Sequence, residues 1–223
     1  MAKRIKQLSI LFFILVLPSL IYVFLASGIH RHESLPFIGE YNIVNGDTLQ
    51  HTIADFSFTN QFGETITQDS LYGDIVIVDF FFSTCGGICP KMSNQMMIVQ
   101  ENFRDIDDIK ILSHTVNPEY DNVAILKAYG EEYGAMKGKW HFVTGEKEQL
   151  YKMGVNSYLI PTQEDVLAPG GFLHSEMFVL VDREQHVRGF FDGTNSNQVR
   201  DLINAVKFLK SYKTSRKNGR NNQ

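Results

Sequence analysis

The strongest hydrophobic pattern in the chain is an apolar run that leads directly into a loop containing cysteine. Residues 75–82 read Ile-Val-Ile-Val-Asp-Phe-Phe-Phe, which predicts a β-strand buried on both faces. Ser-Thr-Cys-Gly-Gly-Ile-Cys follows, and Pro90 then favours the first turn of a helix, where its missing N–H is not needed. The only two cysteines of the protein, Cys85 and Cys89, therefore lie where a central strand passes into a helix.

Strand and helix patterns alternate along the rest of the chain. A turn at 59–64 predicts a hairpin, and apolar runs predict strands at 109–116, 140–144, 172–181 and 186–191. Helical spacing predicts helices after Pro118, at 146–153 and at 198–210. Segment 155–171 holds two prolines and a Gly-Gly pair, so we expect a long excursion near the cysteine loop. The alternation predicts an α/β sandwich of the thioredoxin type over residues 51–212.

The amino-terminal segment has a different pattern. Leu8 to Ala26 contains no charge over about nineteen residues, which is long enough to span a bilayer. Lys3, Arg4 and Lys6 precede this span, so the amino end is expected in the cytoplasm and the remainder outside. We predict an uncleaved single-pass anchor in the cytoplasmic membrane at 1–28 and a tether at 29–50; cleavage after Gly28 is the alternative.

Charge is unevenly distributed along the chain. The net charge is −4, but the amino end carries three basic residues and the polar segment 213–223, which we expect to be a disordered basic tail, carries four. Without those seven, 14 of the 21 basic residues remain against 25 acidic ones, a net charge of −11 for the domain. A domain this acidic argues against nucleic acid as a partner.

The spacing of the two cysteines is C-x-x-x-C, not the C-x-x-C of dithiol–disulfide exchange enzymes. In open α/β sheets ligands bind beyond the carboxyl ends of the strands, and a helix start favours thiolate over thiol. The two sulfurs could form a disulfide or bind one soft metal ion, copper(I) or zinc, with an imidazole completing the site. The alternative interpretations assign the cysteines only a structural role, either as two buried free thiols or as one structural disulfide.

Among seven histidines, His174 is the best placed to complete such a site. It follows the flexible sequence Ala-Pro-Gly-Gly and opens an apolar strand, and in thioredoxin-like folds this loop packs against the cysteine turn. His114, near the carboxyl end of a neighbouring strand, is the second candidate. We expect His141 to be structural, His186 to be exposed in a turn, His51 to lie outside the core pattern, and Met92, Met96 and Met97 to be core residues.

Several segments resemble one known family. Residues 80–90, Phe-Phe-Phe-Ser-Thr-Cys-Gly-Gly-Ile-Cys-Pro, look like the cysteine motif of the Sco/SenC family of copper chaperones. Residues 116–121 resemble its V-D-P-E-x-D segment, Trp140 with Thr144-Gly145 its W-x-x-x-T-G segment, and residues 173–182 its histidine segment with the strand after it. The resemblance runs from about Ile53 to Leu209, most of the chain beyond the predicted anchor.

This resemblance implies that Cys85, Cys89 and His174 bind one copper ion, as Cu(I) or Cu(II). It also implies a membrane-anchored, thioredoxin-like chaperone that delivers copper to the dinuclear centre of cytochrome c oxidase, or keeps the cysteines of that centre reduced. The implied partners are the copper-bearing oxidase subunit, or another copper protein, and a thiol reductant. Asn117 and Leu173 depart from the family, which usually has Asp at the first position and often at the second; a carboxylate that could orient the imidazole is thereby lost.

The main alternative is an enzyme, a membrane-tethered thiol–disulfide reductase that uses Cys85 and Cys89 without metal. Such an enzyme would have C-x-x-C spacing and would not need His174. A peroxidase of related fold would need a P-x-x-x-T-x-x-C arrangement, which the residues before Cys85 do not supply.

Overall fold

The structure, a computed structural model, describes residues 12, 16–22, 35–44, 47–160 and 175–220, with only the backbone at 42–44, 47–48 and 212–220. The chain divides into two compact units, 1–34 and 35–223. In the first unit residues 16–22 are helical. Across the described ranges no helix is both long and apolar enough to cross a bilayer. Most of the predicted anchor lies outside these ranges, and so does His174.

The second unit is built on β-strands that alternate with helices. The described strands are β1 (Asn42–Val44), β2 (Asp47–Leu49), β3 (Ser57–Asn60), β4 (Thr65–Thr67), β5 (Ile75–Phe81), β6 (Ile109–Thr115), β7 (Trp140–Thr144), β8 (Met177–Val181) and β9 (Val187–Asp192). The described helices are α1 (Cys89–Asn102), α2 (Val123–Glu132), α3 (Lys147–Lys152) and α4 (Ser196–Arg220). A 3₁₀ turn lies at Asp69–Leu71, and α3 continues into a π-helical turn, Met153–Ser157.

Seven strands form one mixed sheet in the order β4-β3-β7-β6-β5-β8-β9, while β1 and β2 pair separately. Strand β5 lies between β6, to which it is parallel, and β8, to which it is antiparallel. All seven residues of β5 are buried, as expected for an apolar strand covered on both faces. The carboxyl end of β5, where the cysteine loop begins, is thus held between two neighbouring strands.

Alternate side chains of β5 pack into two separate cores. Ile77 and Phe81 join a core with residues of α1, α2 and α4, and we call this the α1 face of the sheet. Val78 and Phe80 join the core on the opposite side with Leu150, and we call this the α3 face. A one-residue step along the strand therefore decides which face a side chain enters.

The predicted α/β sandwich is confirmed, since helices cover both faces of one mixed sheet. The hairpin of β3 and β4, the strands near the predicted positions and the helix at Pro90 are all present. The compact unit starts at Leu35, within the predicted tether, and α4 continues to Arg220, into the predicted disordered tail.

Arg188 explains why the compact unit begins earlier than the pattern indicates. Its guanidinium donates to the carbonyl oxygens of Pro36 at 3.0 Å and Leu35 at 2.5 Å, and it lies 4.0 Å from the ring centroid of Phe37. The N–H of Ile38 also donates to Val187 O at 2.9 Å. These contacts join residues about 150 positions apart, so local polarity did not reveal them.

Candidate metal site

The cysteine loop lies between the end of β5 and the start of α1. Cys85 N–H donates to Phe82 O at 3.1 Å, which closes a turn directly after the strand. Helix α1 begins at Cys89, with Pro90 in its first turn as predicted. Neither Gly86 nor Gly87 adopts a positive φ. A Cβ on Gly86 would meet nothing within 4 Å and one on Gly87 only Cys85 Sγ, at 3.9 Å. A side chain at position 87 would therefore begin beside the Cys85 sulfur, and the glycine leaves this space open.

Cys85 is the more accessible thiol of the pair. It is half-buried, and both cysteines are free. Burial raises the pKa of Cys85, but hydrogen bonds to its sulfur from the Cys89 thiol and from the N–H groups of Cys89, Gly87 and Ile88 outweigh this, so the pKa is lowered. The start of α1 thus stabilises a thiolate at Cys85.

Cys89 has the opposite environment. It is only 4% exposed and packs into the core of the α1 face. Burial, together with the hydrogen bond to Cys85, raises its pKa strongly. The pair therefore combines an accessible sulfur whose pKa is lowered with a buried sulfur that keeps its proton.

A buried carboxyl group on β5 adds to this asymmetry. Asp79 is 2% exposed, and burial raises its pKa to about 7 although Ser113 Oγ donates to Asp79 Oδ1 at 2.5 Å. Trp140 Nε1 donates to Ser113 Oγ at 2.8 Å. The negative charge of Asp79 contributes to the raised pKa of Cys89. Our sequence interpretation assigned Asp79 no role, although one carboxylate in an apolar run was a visible signal.

The structure does not bring His114 to the cysteines. Its ring stacks on Phe80 at 4.9 Å between centroids and meets Phe58 edge-on at 5.4 Å, both on the α3 face. Its Nε2 lies 3.2 Å from Tyr158 Oη, and burial lowers its pKa to about 3. Cys85 and Cys89 pack on the other side of the sheet. His114 is thus a neutral core histidine.

The three other histidines in the described ranges also have partners away from the cysteines. His141 is buried, and its Nδ1 lies 3.3 Å from Asn60 Nδ2, which agrees with a structural role. His51 Nε2 donates to Ser157 O at 2.7 Å. His186, expected to be exposed, is half-buried because it packs on Phe37 and lies 3.3 Å from Asp182 Oδ1.

The methionines of α1 do not act as one group. Met92 and Met96 are buried in the core of the α1 face, as predicted. Met97 is 37% exposed, so the expectation that it is a core residue is wrong. Helical spacing turns the position after Met96 away from the sheet.

The donor atoms in the described part of the site are two sulfurs. Within that part of the chain no group of three or more His, Cys, Asp or Glu side chains is placed to hold a metal ion. Two sulfurs joined by a hydrogen bond, one of them accessible, fit a soft ion such as Cu(I). A third ligand would come from elsewhere, and the predicted one, His174, lies outside the described residues.

Comparison with known proteins agrees with this arrangement. The sequence pattern of the SCO1/SenC family matches residues 45–209. The SCO1 protein homolog of Bacillus subtilis (strain 168) is 28% identical over 173 residues, which cover 75% of this chain and 87% of that protein.

Solved structures of Sco proteins share the fold of this chain. A SCO1/SenC family lipoprotein from Bacillus anthracis superposes with a TM-score of 0.65 at 25% identity, over 72% of this chain and 95% of that one. BsSco, described as a member of the Sco family of cytochrome c oxidase assembly proteins with a disulfide switch, gives 0.63 at 27%, over 74% and 96%. ScoI from Bradyrhizobium japonicum, solved with copper bound, shares the fold, with a TM-score of 0.57 at 22% over 72% and 99%. Because the family pattern covers most of the chain, from β2 into α4, this protein belongs to the SCO1/SenC family.

Proposed function

We propose that this protein is a membrane-anchored copper chaperone. It binds one copper ion through Cys85, Cys89 and His174, and it delivers copper to the dinuclear centre of cytochrome c oxidase or keeps the cysteines of that centre reduced. The observation that carries the proposal is the pair of free, hydrogen-bonded cysteines at the junction of β5 and α1, in a chain of the SCO1/SenC family. Support also comes from relatives described as copper-bound and as oxidase assembly proteins.

The chain's own residues suit the uptake and release of a soft cargo ion. Cys85 is accessible and has a lowered pKa, so it is the first sulfur to meet an incoming ion. Cys89 must then lose its proton, and uptake of copper therefore releases protons. A site of three protein ligands binds copper and can still pass it on, whereas a closed four-ligand cage retains its metal.

The same two sulfurs make copper loading depend on redox state. Forming the Cys85–Cys89 disulfide releases two protons and two electrons to an oxidant, and it removes both thiolate ligands. Outside the cytoplasm the disulfide is favoured unless a thiol reductant acts. We therefore include a reductant among the partners, together with the copper-bearing oxidase subunit or another copper protein.

Metal uptake tests the proposal directly. The full chain in detergent, reduced and kept free of oxygen, is expected to take up one equivalent of Cu(I), measured by competition with a coloured chelator. With Cu(II) it is expected to develop a thiolate-to-copper charge-transfer absorption, because at least one ligand is a thiolate. A reduced protein that leaves all copper with the chelator and reduces protein disulfides rapidly would instead be the reductase.

The membrane anchor is a separate part of the proposal. Its support is the uncharged segment Leu8–Ala26 behind three basic residues. The amino terminus of the mature protein, purified from membranes, is expected to be that of the full chain, with the copper domain outside the cytoplasmic membrane. A mature protein that starts near Ile29 would show that the segment is a cleaved signal.

A further inference from the structure

A buried carboxylate ties the residues that lead into Cys85 to the neighbouring strand. Asp121 is 0% exposed, and its Oδ2 accepts a hydrogen bond from Ser83 N–H at 3.2 Å. The hydroxyl of Ser83 donates to Oδ1, and the hydroxyl of Thr115 donates to Oδ2. Three donors therefore converge on one carboxylate. An amide offers only one acceptor atom and could not satisfy all three in the same arrangement.

The residues joined in this way surround the base of the cysteine loop. Ser83 lies two positions after β5 and two before Cys85, and Thr115 is the last residue of the parallel strand β6. Asp121 lies in the connection between β6 and α2, where its own N–H donates to Asn117 O at 2.9 Å. Val116 N–H donates to Phe81 O at 2.8 Å. The connection after β6 thus holds the carboxyl end of β5 at both backbone and side-chain level.

Packing alone does not explain a carboxylate at this position. A fully buried charge has a large desolvation cost, which hydrogen bonds must offset. Asp121 forms its hydrogen bonds to Ser83 through both N–H and hydroxyl, so it fixes the position and the orientation of that residue. From Ser83 the chain reaches Cys85 through Thr84 alone. The carbonyl of Phe82, the residue before Ser83, accepts the Cys85 N–H. Movement of Ser83 would therefore also move the Cys85 sulfur.

We infer that Asp121 is a positioning residue: by holding Ser83, it keeps the sulfur of Cys85 over that of Cys89 before an ion or an oxidant arrives. Asp121 does not touch the metal. For copper this inference rests on the proposed function, whereas for disulfide formation it rests only on the cysteine pair. Sites whose ligands are held in advance lose affinity when the supporting contacts are removed.

Asp121→Ala removes the carboxylate and frees Ser83. The Cu(I) affinity is expected to fall by about 10- to 100-fold, the usual effect of losing an outer partner of a metal ligand. The Cys85–Cys89 disulfide is also expected to become easier to reduce, by about tenfold in its equilibrium with dithiothreitol, because looser tethering lowers the effective concentration of one thiol near the other.

Asp121→Asn and Ser83→Ala give a graded series. The amide carbonyl can keep the donors at Oδ2, and the Ser83 hydroxyl can rotate to accept from the amide N–H. Asp121→Asn is therefore expected to lose less affinity than Asp121→Ala. Ser83→Ala keeps the N–H contact to Asp121 and loses only the hydroxyl contact. Its loss of Cu(I) affinity is therefore expected to be smaller than that of Asp121→Ala. These two variants also test the inference if Asp121→Ala does not fold.

Asn60→Ala is the matched control. Asn60 is also 0% exposed, and its Oδ1 accepts from the N–H groups of Phe62 and Glu64, both at 2.9 Å. It is the last residue of β3, which is separated from β5 by β7 and β6 in the sheet. Its replacement is expected to lower the melting temperature while Cu(I) affinity and the disulfide equilibrium change by less than about twofold, since distant sites behave independently.

The outcomes separate this inference from the proposed function. If Asp121→Ala changes copper affinity and the disulfide equilibrium no more than Asn60→Ala, Asp121 is only a structural residue and the inference is wrong. If the unaltered protein takes up no copper, the proposed function is wrong. In that case the disulfide equilibrium alone supports or overturns the role of Asp121.

Discussion

Replacing any one of Cys85, Cys89 and His174 is expected to lower the affinity for Cu(I) by more than about 100-fold, since the loss of an outer partner alone commonly costs 10- to 100-fold. One of three proposed ligands is removed in each variant, Cys85→Ser, Cys89→Ser or His174→Ala. The two ligands that remain bind the ion far more weakly. Chelator competition on the reduced full-length variants measures the effect. The charge-transfer absorption with Cu(II) is expected to weaken in each variant, because its intensity depends on copper bound to thiolate.

The histidine controls make this result specific. His186→Asn alters a half-buried ring beside Asp182, and His114→Phe fills a site already lined by aromatic rings on the α3 face. Both are expected to keep full copper affinity, because neither ring contacts the cysteines. If His114→Phe abolished binding and His174→Ala left it intact, our choice of histidine would be wrong.

The central strand and its cysteine loop were predictable because their signals are local. A seven-residue apolar strand, two glycines, two cysteines and a proline stand in one continuous segment, and β5, the loop and α1 appear where that segment places them. Which face of the sheet each side chain of β5 and β6 enters was not predictable. In β5 and β6 side chains on both faces are buried, so the sequence shows no alternation that would assign His114 to the α3 face. Proximity to the carboxyl end of a neighbouring strand made His114 a candidate ligand. In the structure its side chain enters the α3 face, on the opposite side of the sheet from the cysteines.

The polar residues that support the site depend on contacts between distant parts of the chain. Asp121 meets Ser83 across 38 positions, and Asp79 meets Ser113 across 34. Nothing within a short window shows which buried carboxylate receives which hydroxyl, because strand pairing decides it. Asp121 did fall within a segment that resembles the family, but the resemblance alone gave it no physical role.

The two thiols are expected to differ sharply in thiol–disulfide exchange, and this difference separates the chaperone from the reductase. Cys85 is accessible with a lowered pKa, whereas Cys89 is buried with a raised pKa, so at neutral pH Cys85 should supply nearly all of the attacking thiolate. With a small aromatic disulfide as the probe, Cys85→Ser is expected to slow the first reaction by more than about tenfold, in line with the dependence of exchange on thiolate fraction and access. Cys89→Ser should still form a mixed disulfide through Cys85.

His174→Ala completes this test, because an imidazole ligand has no part in attack by Cys85. Its rate with the probe is expected to stay within about threefold of the unaltered protein, since the thiolate fraction of Cys85 is set by its own hydrogen bonds. Its copper affinity should meanwhile fall with that of the cysteine variants. If His174→Ala and Cys89→Ser both kept the copper affinity of the unaltered protein, the proposed set of three ligands would be wrong. If the unaltered protein took up no copper while exchange depended on Cys85, the pair would serve as a reductase and the copper chaperone would be excluded. Copper binding that needs all three residues, beside exchange that needs only Cys85, is the result that the asymmetry of the two sulfurs leads us to expect.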